Sequence, residues 1–199
     1  MQLTLRPCMA ALARCREGVS AVEFGVIAPV FLVLMMGVLD IGHMIYGQSV
    51  LNGAVEAAAR GSALETANTA VADAEVADQV GPVLPGVTVT STRTSYFDFA
   101  DIGRAEPWND VDSNGQCNDG EVYTDQNSNG QWDEDIGVAG NGGANDVVIY
   151  EVSATYEPIF RIPFMPEEWE SRTLKASTVR KNQPFAAQTD YSEEAGSCD

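Results

Sequence analysis

The stretch VSAVEFGVIAPVFLVLMMGVLDIGHMIY, residues 19–46, decides the architecture of this 199-residue chain. Its centre, residues 24–39, is sixteen residues without a charge, about 24 Å long as a helix and so short of a hydrocarbon core of about 30 Å. Taken from Val19 to Tyr46, the helix is long enough to cross with some tilt, provided that Asp40 and His43 sit at an interface. A cleaved secretory signal peptide would carry a small-x-small site after the apolar run, whereas Gly47-Gln48-Ser49 and more helical pattern follow here. The reading is one transmembrane helix. The segment before it holds Arg6, Arg14 and Arg16 against Glu17 alone, and the remainder holds 28 acids and 8 bases. By the positive-inside rule the N-terminus is cytoplasmic and the acidic body lies across the membrane.

The same charge distribution narrows the function. A net charge of −18 counts against nucleic acid as a partner, because Lys and Arg drive phosphate binding by releasing counterions. The single histidine, His43, lies in the apolar stretch, which counts against a solvent-facing His base, a His triad or a multi-His zinc site. Carboxylate pairs such as Asp133 and Asp135 are the only acid–base candidates, and nothing in the pattern places such a pair in an apolar cleft. A non-catalytic protein is expected.

Glu23 is the odd residue of the apolar segment, since a carboxylate facing lipid is costly without a partner or water. It stands five residues after Gly18, in Arg14-Cys15-Arg16-Glu17-Gly18-Val19-Ser20-Ala21-Val22-Glu23-Phe24. That stretch resembles the cleavage motif of type IV prepilins, cut after a glycine on the cytoplasmic side. With Pro29, Asp40-Ile41-Gly42 and Ala54-Val55-Glu56-Ala57-Ala58-Ala59-Arg60-Gly61 in order, residues 14–63 resemble the TadE-like family of minor pilins or pseudopilins of the tight-adherence pilus. The resemblance implies a leader over residues 1–18 and processing after Gly18 by a prepilin peptidase, with Val19 as the new N-terminus. It also implies that Glu23 neutralises the freed amine of a neighbouring subunit. The partners implied are other pilins, the inner-membrane tight-adherence platform and its secretion channel, at a bacterial inner membrane. The alternative is an uncleaved signal anchor whose Glu23 snorkels, carrying a calcium-binding adhesive module unrelated to pili.

Beyond residue 46 the pattern becomes amphipathic. Val50, Leu51, Ala54, Val55 and Ala58 recur at helical spacing, and a second helix over residues 70–80 is stopped by Gly81-Pro82. These extramembrane helices span residues 47–81. The period then switches to two over residues 87–96, 147–156 and 172–179, as antiparallel strands require. The expected fold is α+β and pilin-like: a long transmembrane helix extends into an amphipathic helix packed on a small antiparallel sheet. That β domain runs over residues 87–181, with an acidic insertion at 98–146 and a tail at 182–199.

The insertion has Arg104 as its only base and repeats one motif at a spacing of fifteen, DVDSNGQ at 110–116 and DQNSNGQ at 125–131. The first copy satisfies D-x-[DN]-x-[DN]-G-x₅-E: Asp110, Asp112 and Asn114 supply oxygen, Gly115 allows the sharp turn, Gln116 holds the seventh position and Glu121 the twelfth. In the second, Asp125, Asn127, Asn129 and Gln131 match, but Ile136 stands at the twelfth position, so Asp133 or Asp135 would have to complete it. One or two Ca²⁺ ions are expected, in loops separated by Val122-Tyr123-Thr124 alone, with no room for EF-hand helices. A repeat of solvated Asx turns is the alternative. Cys8 and Cys15 fall in the leader, leaving Cys117 and Cys198 in an oxidising compartment. A disulfide between them would stabilise by about 4 kcal/mol through chain entropy; free thiols or bonds between subunits are the alternatives.

Overall fold

The computed structural model describes residues 19–63, 68–159, 166 and 170–198. Residues 1–18, with Gly18, Cys8 and Cys15 and the expected processing site, lie outside the described residues. Helix α1 runs over Val19–Ser62 and α2 over Thr69–Val80. The strands are β1 (Thr88–Tyr96), β2 (Val122–Asp125), β3 (Val138–Ala139), β4 (Val147–Tyr156), β5 (Arg172–Lys181) and β6 (Glu194–Ser197). The architecture is α+β, a long apolar helix and a small antiparallel sheet.

Helix α1 has two halves with different surroundings. No residue from 20 to 39 is buried, and Val22, Phe24 and Val26 are each about 70% exposed. Such a helix satisfies its backbone groups internally and offers apolar side chains everywhere but at Ser20 and Glu23, so its length and composition fit a single-pass membrane anchor. Pro29 is accommodated within it. Burial begins at Asp40, which is 2% exposed. Its carboxylate pairs with the Arg172 guanidinium at 2.5 Å, and His43 Nε2 donates to the Val83 carbonyl at 2.7 Å. Asp40 and His43 therefore face the body, where each finds a partner for one side-chain atom.

From Gly47 onward the helix lies on the sheet. Gly47 lets the helix approach closely there: a Cβ in its place would come 2.8 Å from Leu84 Cδ2, which would have to shift. Leu51, Ala54, Val55, Ala58 and Ala59 repeat every three or four residues and meet Ala72, Val76 and Val80 of α2, as an amphipathic stripe should. The other wall of this core is Tyr150, Val152, Ala154 and Tyr156 of β4 with Leu174 and Ala176 of β5. Asn68 caps α2, its Oδ1 accepting from the Ala70 and Val71 amides at 3.0 and 3.3 Å.

The main sheet is antiparallel in the order β3-β1-β4-β5. Alternation sets its register: Val89 faces Ala154, Val152 faces Ala176, and the intervening residues point to solvent. A charged network ties α2 to the sheet. Arg93, on β1, donates to both Asp73 carboxylate oxygens at 3.0 and 2.7 Å and stacks 4.0 Å above the Tyr150 ring. Tyr150 and Ser91 add hydroxyl bonds to Asp73 at 2.6 and 2.8 Å.

Burial pushes the Asp73 carboxyl up, but the bonds from Arg93, Tyr150 and Ser91 outweigh it and hold the group below its ordinary value of 3.8. Asp101 behaves alike: burial is overcome by bonds from Tyr191, Arg104 and the Asp98 amide. Carboxyls depressed in the folded state contribute stability that is complete above the unfolded value and disappears as pH falls through the folded one. Without added metal, the thermal midpoint by circular dichroism should be nearly flat from neutrality to about pH 5 and fall steeply below about pH 4. Asp73→Asn should flatten the acid limb.

A second, two-stranded sheet pairs β2 with β6, matching Val122 with Ser197 and Asp125 with Glu194. The stretch from residue 182 is thus more than a tail. Asn182 is buried and donates to the Asn141 and Gly143 carbonyls, Gln188 bonds Asp146, and the Tyr191 hydroxyl donates to Asp101 at 2.5 Å. Gly196 is required where β6 crosses the Tyr123 ring, because a Cβ there would overlap the ring. Ile136 packs with Tyr96 and Val147, joining the insertion to the main sheet.

Candidate metal centre in the acidic insertion

The two repeated segments fold into the same loop. Residues four and six of each adopt left-handed backbone: Ser113 (φ 61°) and Gly115 (φ 75°) in the first, Ser128 (φ 60°) and Gly130 (φ 79°) in the second. Glycine suits the sixth position because it meets no Cβ penalty there. Asp110 Oδ1 and Oδ2 accept from the Asn114 and Gly115 amides at 3.1 and 3.0 Å. Asp125 does the same to Asn129 and Gly130, at 3.2 and 2.7 Å. The Asn114 and Asn129 side-chain oxygens accept from Gln116 and Gln131, each at 2.7 Å. Each aspartate is thereby fixed by its own turn.

In the first loop, Asp110, Asp112 and Glu121 offer carboxylate oxygens within 4.8 Å of one another. Calcium takes oxygens at 2.3–2.6 Å, so ligands on opposite sides of one ion stand about 5 Å apart, and this set fits. Glu121 is 6% exposed; its Oε1 accepts from the Val111 amide at 2.6 Å and its Oε2 from the Asn118 amide at 3.4 Å. These are the second and ninth residues of the loop. The sole base of the insertion, Arg104, is engaged with Asp101 at 2.9 Å, so no side-chain cation from the insertion itself neutralises the cluster.

In the second loop, a carboxylate supplied from outside its own segment accepts from the equivalent amides. Glu106, 0% exposed, accepts from the Gln126 amide on Oε1 at 2.6 Å and from the Asp133 amide on Oε2 at 3.3 Å. Gln126 and Asp133 are again the second and ninth residues. Asp133 instead accepts from the Asn127 and Asn129 side-chain amides at 2.8 and 2.6 Å. Asp135 turns away to accept from the Tyr96 hydroxyl at 2.8 Å; burial and this bond push Tyr96 up to about 12. Ile136, at the twelfth position, is buried as a core residue. Glu106 lies nineteen residues before Asp125, outside any motif spacing. Its only sequence signal is an isolated acid between Ala105 and Pro107.

Around the loops, Trp108 and Trp132 meet edge to face with centroids 5.0 Å apart, and Trp132 Nε1 donates to the Glu106 carbonyl at 3.0 Å. Cys117 and Cys198 are joined in a disulfide, with Cα atoms 5.5 Å apart across a sequence separation of 81. The chemistry available is that of oxygen ligands for a hard divalent cation. At the other end of the molecule, Glu23 is exposed on the apolar part of α1, and Gly18 lies outside the described residues.

No curated protein and no solved structure matches the chain. Residues 18–60 match the model of a family described as TadE-like protein. Beginning at Gly18 and ending at Arg60, this match covers nearly the whole of α1, so the chain carries a TadE-like segment there.

Proposed function

We propose that the protein is a non-catalytic, prepilin-like subunit or assembly factor of a tight-adherence pilus. The observation that carries this reading is the TadE-like match, which opens on Gly18 and keeps Glu23 five residues beyond it. A prepilin peptidase cuts after Gly18, and Val19 becomes the N-terminus. Residues 20–39, about 30 Å of helix, cross the inner membrane. The Asp40–Arg172 pair then lies at the water boundary, and the acidic body faces the periplasm or the exterior. Nothing within 4 Å would meet a Cβ at Gly25, Gly37 or Gly42, which leaves these small residues free for close packing with other pilins or with the platform.

The body binds calcium in its two insertion loops. Asp110, Asp112, Asn114, Gln116 and Glu121 serve the first ion; Asp125, Asn127, Asn129, Gln131 and Asp133 serve the second, completed by Glu106. Mutual repulsion of carboxylates is relieved by the ion, so binding free energy appears as order of the insertion. The two loops also favour a second reading, an uncleaved anchor that displays a calcium-binding adhesive module.

Intact mass and N-terminal sequencing of the protein from its native membrane separate the two. A chain starting at Val19, lost in Gly18→Asp, is the expected result. A chain that retains Arg14 and Arg16 would overturn the pilin reading.

A further inference from the structure

The C-terminal strand runs beside both loops, pairing Glu194 with Asp125 of the second, but its disulfide closes on the first alone. Cys117 is the eighth residue of the first loop, immediately before Asn118, whose amide donates to Glu121 Oε2. Its disulfide partner Cys198 is bonded to the same corner through the main chain: the Cys198 amide donates to the Glu121 carbonyl at 2.8 Å, and the Gly120 amide donates to the Cys198 carbonyl at 2.9 Å. Ser197 pairs with Val122 on the far side. Glu121 is thus held at its carboxylate by the loop and at its backbone by the tail. In the second loop, Glu106 is held by the loop's own amides and by the Trp132 indole, and no disulfide reaches it.

We infer that the Cys117–Cys198 disulfide is a redox clasp that sets the calcium affinity of the first loop, an inference that rests on the calcium reading above. With the bond intact, the tail keeps Glu121 beside Asp110 and Asp112, so the ion does not have to order it. A dithiol reductant opens the clasp. It supplies two electrons and is oxidised to its own cyclic disulfide, the Sγ–Sγ bond breaks, and the two protons end on the Cys117 and Cys198 thiols. The four-residue β6 then keeps its hydrogen bonds but loses its covalent tie to the loop, and the ion must pay for more of the ordering of loop and tail. Linkage makes the coupling reciprocal: calcium must protect the disulfide by the factor with which the disulfide strengthens calcium.

The test uses the full chain in detergent, with Cys8→Ser and Cys15→Ser so that one disulfide alone can form. Calcium chloride is titrated calorimetrically into the oxidised protein, the dithiol-reduced protein and the Cys117→Ser/Cys198→Ser variant. A parallel dithiol titration, with and without calcium, is read by mass after alkylation. The expected result is one binding step weakened about tenfold by opening the bond, with the dithiol midpoint raised correspondingly by calcium. Equal affinity in oxidised and reduced protein, with no shift of the dithiol midpoint, overturns the clasp and leaves the calcium reading standing. No calcium binding in the oxidised protein overturns both.

Discussion

Glu106→Ala is expected to destabilise the insertion by about 3 kcal/mol, because it leaves three partly buried amides without an acceptor at a cost of about 1 kcal/mol each. The amides are those of Gln126, Asn127 and Asp133. Their loss should also free the second loop, so calorimetric calcium stoichiometry should fall from two to one. Trp132, which donates to the Glu106 carbonyl beside Trp108, supplies a local readout: its emission should shift red in the variant. Retention of two calcium ions per chain in Glu106→Ala would refute the assignment of Glu106 as the missing twelfth-position ligand. Glu106→Gln is the useful companion. It keeps an acceptor for one amide while removing the charge, so stability should be recovered in part and the second ion should still be lost.

Arg93→Ala should cost about as much, for a different reason. The Arg93 side chain is 8% exposed, binds both oxygens of Asp73 and covers the Tyr150 ring, so truncation removes a fork of charged hydrogen bonds and leaves a partly buried carboxylate. Removing one partner of a buried pair costs about 3–5 kcal/mol; because the Asp73 side chain is 31% exposed and partly hydrated, the lower end is expected. Chemical denaturation should report about 3 kcal/mol, with α2 loosening first as its tie to β1 is lost. Arg60→Ala is the control: its pair with Glu56 is exposed at 3.6 Å and worth under about 0.5 kcal/mol. Equal effects of the two substitutions would refute the role given to the Asp73 network.

Both predictions concern contacts that no local pattern contains. Helix α1 was legible because sixteen uncharged residues admit few other readings, and the change to spacing of three and four after residue 46 marks where it meets the body. Strands β1, β4 and β5 were legible from alternation of β-branched residues, and the first metal loop from its residue spacing. Strand β6, with the sequence EAGS, has no β-branched residue and reads as tail. It is a strand because β2 offers it an unpaired edge and Tyr123 requires a glycine opposite.

Asp40 shows the division most plainly. Its sequence position says only that a carboxylate interrupts an apolar run. The partner, Arg172, is supplied by β5 far along the chain. Glu106 is similar, since a ligand for the second loop can arrive from any segment the fold brings near, and a motif records only ligands that share one loop. What the sequence determined alone is whatever depends on neighbours along the chain: an apolar helix of membrane length, the strand periodicity, the turn geometry at Gly115 and Gly130, and the Gly18 to Glu23 spacing. Tertiary structure alone decided which distant groups meet, because desolvating Asp40, Glu106 and Arg93 is tolerable only where folding delivers a partner, and that delivery is a property of the whole chain.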